Sequence, residues 1–260
     1  MTSTVTGDGC RLAYWVSGRA DGPAVVLSSP LGSDHTIWER QLAALEPHFR
    51  VVRYDTRGHG ASDAPAGDYT IERLGLDVVS LLDALGITRA HLCGASLGGL
   101  TAQWLGARRP DRIASLVLAN TGARIGSVQT WNERIGLATT QGLGALADGI
   151  LGRWFTPAFH AAEPETIAAI KATLLGINPH GYASCAAALR DADLRPLAPH
   201  IKAPTLVLTG TVDEATPPAL GFWLAGAIPG AALVPLDAAH IANVEQSAAF
   251  NRLLLSFLVR

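Results

Sequence analysis

Charge is scarce in this 260-residue chain and neither sign is in surplus: 20 Lys and Arg stand against 22 Asp and Glu, and charged residues make up 16% of the whole. Neutralising a phosphate backbone takes clustered cations, so no nucleic-acid partner is expected. Low charge combined with 48% hydrophobic residues and a mean hydropathy of +0.24 excludes a disordered chain, which has the opposite balance. Cysteine is scarce as well. Cys10, Cys93 and Cys185 are odd in number and far apart, a pattern of neither a disulfide framework nor a zinc site. No apolar run reaches the roughly 20 residues of a membrane span. The first ten residues have no basic stretch leading into an apolar one, so they do not read as a secretory signal. The expectations are no membrane association and a reducing cytoplasm. Pro/Ser linkers, low-complexity stretches and internal repeats are also missing, and nothing in the sequence speaks to an oligomeric state.

What is present is a succession of short apolar runs separated by helix-length segments. Residues 24–27, 51–54, 90–93, 115–118 and 205–208 read as buried strands. Residues 232–236 read as a last strand, placed at an edge because Pro235 cannot donate to a ladder. Between the second and third runs, apolar residues at 71, 74, 78, 81, 82 and 85 follow a helical period, and Gly86 supplies the stop. Strands alternating with helices predict a mostly parallel sheet covered on both faces. From Thr121 to about Arg195 the alternation ceases. That stretch contains Trp131 and Trp154, breaks at Pro157, Pro164 and Pro179, and reads as several short helices inserted into the sheet-forming chain. They either add packing to the core or cap a site at the strand ends.

The most specific local signal is Cys93-Gly94-Ala95-Ser96-Leu97-Gly98-Gly99. It contains G-x-S-x-G between a strand and a helical pattern, the context of a nucleophile elbow. A sharp strand-to-helix turn displays Ser96 at a helix N-terminus, whose free N–H groups favour developing negative charge. A serine of ordinary acidity needs a base, and the base needs an orienting acid. In this class of turn the partners follow in the order acid, then histidine. Asp213 lies just past the 205–208 strand and His240 just past the last strand, so both belong in loops on the same sheet edge as Ser96. Asp237 is a competing acid, while His59 and His91 are poorer bases by chain order. Two backbone amides are needed for an oxyanion hole. Leu97 follows the nucleophile, and Leu31 lies in the loop after the first buried strand, where Pro30 has no N–H to offer. Cys93 reads as a small core residue rather than a second nucleophile.

These features together resemble the α/β-hydrolase fold family along nearly the whole chain. Tyr54-Asp55-Thr56-Arg57-Gly58-His59-Gly60-Ala61-Ser62 is similar to the family's D-x-R-G-x-G-x-S turn, which is structural there, so Asp55, Arg57 and His59 are not nominated as catalytic. Many members carry His-Gly before the oxyanion residue. This chain has Ser29-Pro30, which argues away from generic lipases and esterases. A narrower resemblance is to the 3-oxoadipate enol-lactonases. Residues 28–34 resemble their S-N-S-L-G-T-D loop, Trp131 to Ile135 their W-N-E-R-I segment, and residues 153–155, 213–218 and 239–246 further segments. The resemblance implies a core formed by residues 1–120 and 196–260, with residues 121–195 as an inserted helical cap. It also implies hydrolysis of a small lactone in the β-ketoadipate catabolism of aromatic compounds, with no metal and no organic cofactor.

A lactone of this class carries a carboxylate away from the reacting carbonyl, so its pocket needs a cation in apolar walls. Arg134 is the first candidate and Arg124 the second, because arginine offers bidentate geometry. Arg134 lies one turn from Trp131, so both can share a helix face. Trp131 and Trp154 are candidate pocket walls and equally candidate core aromatics. Two other readings stay open: another carboxylesterase or perhydrolase-like enzyme on the same scaffold, and a ligand receptor that keeps the triad but barely turns over. The serine at position 96 excludes dehalogenase and epoxide-hydrolase chemistry, which needs an aspartate there.

Overall fold

The computed structural model describes residues 2–259. Eight strands form one sheet: β1 (Thr2–Val5), β2 (Arg11–Gly18), β3 (Ala24–Ser28), β4 (Arg50–Tyr54), β5 (Ala90–Ala95), β6 (Ile113–Ala119), β7 (Thr205–Gly210) and β8 (Ala232–Leu236). The order across the sheet is β1-β2-β4-β3-β5-β6-β7-β8. The pairs β1–β2 and β2–β4 are antiparallel, and every other pair is parallel. All residues of β3 and β7 are buried, as a strand covered on both faces requires, which is why those runs are continuous rather than alternating. Strand β8 is an edge, half-exposed and carrying Pro235, as expected from the sequence.

The antiparallel pair β1–β2 was not legible beforehand. Strand β1 is four residues long and largely exposed, and in β2 only Leu12 and Ala13 are buried, so neither offers a period-2 or continuous apolar signal. Helix α1 (Glu39–Leu45) precedes β4, and α2 (Ile71–Ala84) precedes β5, with Thr70 capping α2 through the Arg73 amide. Gly86 follows α2 at φ +65, the left-handed stop that its position suggested. Helix α3 (Leu97–Arg108) packs on β3, β5 and β6.

Between β6 and β7 the chain makes only helices of any length: α4 (Val128–Gln141), α5 (Gly144–Trp154), α6 (Pro157–Ala162), α7 (Pro164–Gly176) and α8 (Pro179–Asp191). The three prolines that looked like breaks are the first residues of α6, α7 and α8. Proline is tolerated there because a helix's first N–H has no partner anyway. Helix α4 lies against α8. The C-terminal elements are α9 (Pro218–Ala227) against β7 and β8, α10 (Ala242–Glu245) and α11 (Ser247–Leu258). No helix among the described residues is long and apolar enough to cross a membrane.

The turn after β4 fastens distant segments together. Arg57 makes a two-pronged contact with Asp77 of α2 at 2.6 and 2.7 Å and reaches Asp8 at 3.0 Å. Asp55 accepts the His35 and Ala61 amides at 2.9 and 2.8 Å. His59 is buried and accepts the Gly32 amide on Nε2 at 3.0 Å. Burial pushes the His59 imidazole from 6.5 down to about 4, because the charged form loses its hydration.

The folded chain therefore takes up the His59 proton only at lower pH than the unfolded chain does. This contribution to stability is complete above about pH 6.5 and is lost as pH falls toward and through about 4. A shift of this size corresponds to roughly 3 kcal/mol. In His59→Gln, which keeps a neutral acceptor, urea unfolding measured from pH 7 to 4 should show a drop in stability smaller by an amount of that order. An identical pH dependence in both proteins would show that His59 is not protonated on unfolding.

Candidate active site

Ser96 sits between the last residue of β5 and the first of α3 with φ 52 and ψ −112. A non-glycine residue at positive φ costs on the order of 1–3 kcal/mol, so the surroundings must hold it there. Its N–H donates to Ala119 O at 3.0 Å, and its carbonyl accepts the amides of Gly99 and Leu100 at 2.9 and 3.1 Å. The Thr121 hydroxyl adds a further bond to that carbonyl at 2.8 Å. The flanking glycines are steric necessities. A Cβ on Gly94 would lie 2.2 Å from Gly98 O, and one on Gly98 would lie 2.1 Å from Ser28 O, distances no side chain tolerates.

Because β5, β6, β7 and β8 are parallel, the residues that follow them emerge on one edge. Asp213 and His240 both do so and both are buried. Asp213 Oδ2 lies 2.9 Å from His240 Nδ1. Asp237, the competing acid, instead accepts a 3.4 Å contact from the Thr211 hydroxyl. Asp213 is heavily solvated by the protein: Oδ1 accepts the Ala215 and Thr216 amides, both at 2.8 Å, and Oδ2 accepts the Thr216 hydroxyl at 2.6 Å. Burial pulls its carboxyl upward, but the His240 charge, the His240 hydrogen bond and the two Thr216 bonds together hold it below the usual carboxylate range. A carboxylate bonded to Nδ1 places the proton on that nitrogen and leaves Nε2 as the basic one.

Sequence reasoning missed Asn120. It follows β6 at φ 45, and its amide nitrogen donates to Asp213 Oδ2 and to Ala239 O, both at 3.0 Å. One buried side chain thus ties the acid to the loop of the histidine. An Asn directly after a strand run is the only signal that pointed to it, since Asn tolerates the left-handed region. Thr216 was likewise passed over.

The amides of Leu31 and Leu97, nominated for the oxyanion hole, make no hydrogen bond among the described residues. Both residues are buried, and an unpartnered buried N–H is costly unless it serves a ligand. The Leu97 amide is the first of α3, where the helix leaves its donors open.

A cavity of about 430 Å³ brings the candidates together: Leu31, Ser96, His240, Trp131, Trp154 and Arg134 all line it. Trp131 donates its ring N–H to Ile125 O at 2.7 Å, so it is both anchored in the core and part of the wall. The Arg134 guanidinium lies 4.7 Å from the Trp131 ring centre, on the shared helix face expected. It donates to the Tyr182 hydroxyl, while its buried Nε has no hydrogen-bond partner among the described residues. Arg124 is not in the site. It is exposed beyond β6, near Asp193, and does not line the cavity. Its place is taken by Arg153 at the end of α5, which lines the cavity half-buried. Burial, and then the neighbouring Arg134 charge, lower the Arg153 pKa. No hydrogen bond or ion pair engages its side chain among the described residues. The cavity's two carboxylates, Glu133 and Glu214, are exposed.

Only Asp34, His35 and Asp55 among the described residues are grouped closely enough to share a metal ion. Their ligand atoms are already engaged in hydrogen bonds of the loop, Asp55 Oδ1 with His35 and Asp34 Oδ1 with Thr36, so they do not form a preorganised site.

Comparison with known proteins agrees with this geometry. A family model described as alpha/beta hydrolase fold matches residues 23–247, and the chain belongs to that family. It is 42% identical to 3-oxoadipate enol-lactonase 2 of Acinetobacter baylyi over 257 residues, covering 99% of this chain and 96% of the relative. Among solved structures it is similar to the enol-lactonase from Burkholderia xenovorans LB400, with a TM-score of 0.98, 48% identity and full coverage of both chains. It is also similar to a thermophilic esterase from Thermogutta terrifontis, with a TM-score of 0.91 and 30% identity over 99% of this chain and 96% of that one. The protein is a hydrolase acting on small molecules.

A serine-directed phosphonate should label Ser96, and Ser96→Ala should lower kcat at least about a thousandfold. Mass-spectrometric mapping of the label to another residue would remove Ser96 from the nucleophile position. Asn120→Ala, which deprives Asp213 of one donor and frees the histidine loop, should lower kcat about tenfold with little change in KM, as read from steady-state kinetics.

Proposed function

We propose that this hydrolase opens 3-oxoadipate enol-lactone to 3-oxoadipate, with Ser96 as nucleophile, His240 as general base and acid, and Asp213 as the orienting acid. The observation that carries this reading is the cavity in which Ser96 and His240 meet two half-buried arginines, Arg134 and Arg153. An acyl-transfer site for neutral esters has no need of buried cations, whose desolvation is costly. A substrate with a carboxylate beyond its reacting carbonyl repays that cost.

In the proposed sequence Ser96 Oγ bonds to the lactone carbonyl carbon while its proton passes to His240 Nε2. The amides of Leu31 and Leu97 receive the oxyanion. Collapse breaks the bond between the carbonyl carbon and the ring oxygen, and His240 returns the proton to that oxygen. The leaving group is an enol, more acidic than an ordinary alcohol, so less is asked of the general acid. Water then attacks the acyl-enzyme with His240 as base, releasing the second carboxylate and restoring Ser96. The free enol becomes the ketone, which cannot re-form the lactone directly. No metal or organic cofactor takes part.

In this reading residues 121–195 act as a cap on a core of residues 1–120 and 196–260. The cap supplies Trp131, Arg134, Arg153 and Trp154 to the cavity, and the core supplies the triad. Arg134, already bonded to Tyr182 and stacked on Trp131, is the more rigid of the two cations. Arg153, with no hydrogen-bond partner among the described residues, is the one with all its donors open to the substrate.

A charge-assisted hydrogen bond to the substrate carboxylate is worth about 1.5–3 kcal/mol. Arg134→Ala and Arg153→Ala should therefore each reduce kcat/KM for the enol-lactone roughly tenfold to a hundredfold. Turnover of a small neutral ester should stay within about threefold. Equal losses on both substrates would make the arginines structural, and an enol-lactone turned over no better than simple aryl esters would overturn the substrate assignment.

A further inference from the structure

The loop that offers the Leu31 amide is fixed from two sides. The Pro30 carbonyl accepts both the Ser33 hydroxyl at 3.0 Å and the Ser33 amide at 3.3 Å. In a trans peptide the carbonyl and the following N–H point in opposite directions, so this pair of bonds holds the Leu31 N–H facing the other way. The next peptide is fixed by a residue far away in sequence. The Gly32 N–H donates to His59 Nε2 at 3.0 Å. Gly32 itself stands at φ +89, where a glycine can rotate freely unless something restrains it.

We infer that His59 is a positioning residue for the oxyanion hole: its Nε2 grips the Gly32 amide and so keeps the adjoining Leu31 amide aimed at the site of developing charge. The inference rests on the proposed oxyanion role of Leu31. It assigns work to a residue of the D-x-R-G-x-G-x-S turn that touches no reacting atom.

Several observations agree. His59 is 1% exposed, so water does not compete for its acceptor nitrogen. Because Nε2 accepts, the ring proton resides on Nδ1, which faces Arg57 O at 3.3 Å. The Arg57 backbone is in turn held by the Arg57 guanidinium's contacts with Asp77 and Asp8. Cys185 of α8 closes the remaining side, its sulfur 3.9 Å from Nδ1. The imidazole is therefore locked in one tautomer between a rigid turn and a helix, and it presents a single lone pair to the oxyanion loop. Burial favours the uncharged ring, so that lone pair is available at neutral pH.

The test uses p-nitrophenyl acetate, a neutral ester whose hydrolysis needs the nucleophile and the oxyanion hole but no carboxylate site. His59→Leu should lower kcat and kcat/KM together by about tenfold or more with KM within about twofold, the pattern of an interaction made only in the transition state. His59→Gln, whose side-chain oxygen can accept the Gly32 amide, should recover to within about threefold of the unmodified protein. Unchanged kcat in His59→Leu, or equal impairment of both variants, would overturn the inference. Substantial turnover by Ser96→Ala in the same assay would instead overturn the serine mechanism to which the oxyanion role of Leu31 belongs. The leucine variant can lose its fold, so a nitrogen-15 spectrum of the unmodified protein stands beside it. An unprotonated, hydrogen-bonded His59 Nε2 at pH 7 supports the inference, and a protonated Nε2 refutes it.

Discussion

Everything in the candidate site depends on one backbone constraint, the positive φ of Ser96 at the junction of β5 and α3. The strain is local, but the restraints are not. They come from Ala119 and Thr121 at the end of β6 and from the first turn of α3. The close approach of Gly98 to Ser28 brings the end of β3 into the same arrangement. Three strand ends are therefore mutually fixed around one serine. The neighbouring Asn120, also at positive φ, extends the arrangement to a fourth, because its amide N–H donates to Leu208 O of β7 at 2.8 Å. A parallel sheet is suited to this, since all its C-terminal strand ends lie on one edge and loops there can converge without long connections.

The loop of the proposed base is held by a different set of bonds, and most of them reach across to the helices between β6 and β7. The Ile241 amide donates to Trp154 O at 3.0 Å. Glu245 accepts the Ala239 amide at 2.8 Å on one oxygen and, on the other, the Thr156 amide at 3.1 Å and the Thr156 hydroxyl. His240 is thus flanked on both sides by residues fastened to the segment that also carries Trp154 and Arg153. Movement of that segment relative to the sheet would be felt at His240 and at its alignment with Asp213.

The sequence made the parallel part of the sheet readable because its strands are buried on both faces and appear as unbroken apolar runs. The same physics hid β1 and β2, which are short, partly exposed and without regular alternation. Ser96, Asp213 and His240 could be picked out because each follows a readable strand and this fold fixes their order along the chain. Asn120 and Thr216 were not, since a hydrogen bond to a carboxylate imposes no spacing on the chain. The arginines show the same limit. Arg134 was found through its one-turn separation from Trp131, a helical relation written in the sequence. Arg153 reaches the cavity through the packing of α5 against α4, and Arg124, nearer in sequence to the strand end, faces solvent instead.

The placement of charge around the cavity bears on selectivity. Counted formally, Arg134 and Arg153 are balanced by Glu133 and Glu214, yet the four do not act equally. The carboxylates are exposed, and Glu133 is additionally bonded to Gln129 at 3.0 Å, so water and salt screen their fields. The guanidiniums are half-buried, and their fields fall off less steeply toward the interior. Of these four charges, the two guanidiniums therefore act more strongly inside the cavity than the two exposed carboxylates, although the four formally cancel. Under the proposed function, such an arrangement favours a small anion that reaches the guanidiniums over a larger polyanion that meets the exposed carboxylates. Burial, and then the Arg134 charge, lower the pKa of Arg153, and under the proposed function one substrate carboxylate between the two guanidiniums would offset both effects. In that reading, part of the stabilisation gained by the anion is release of the repulsion between the two cations.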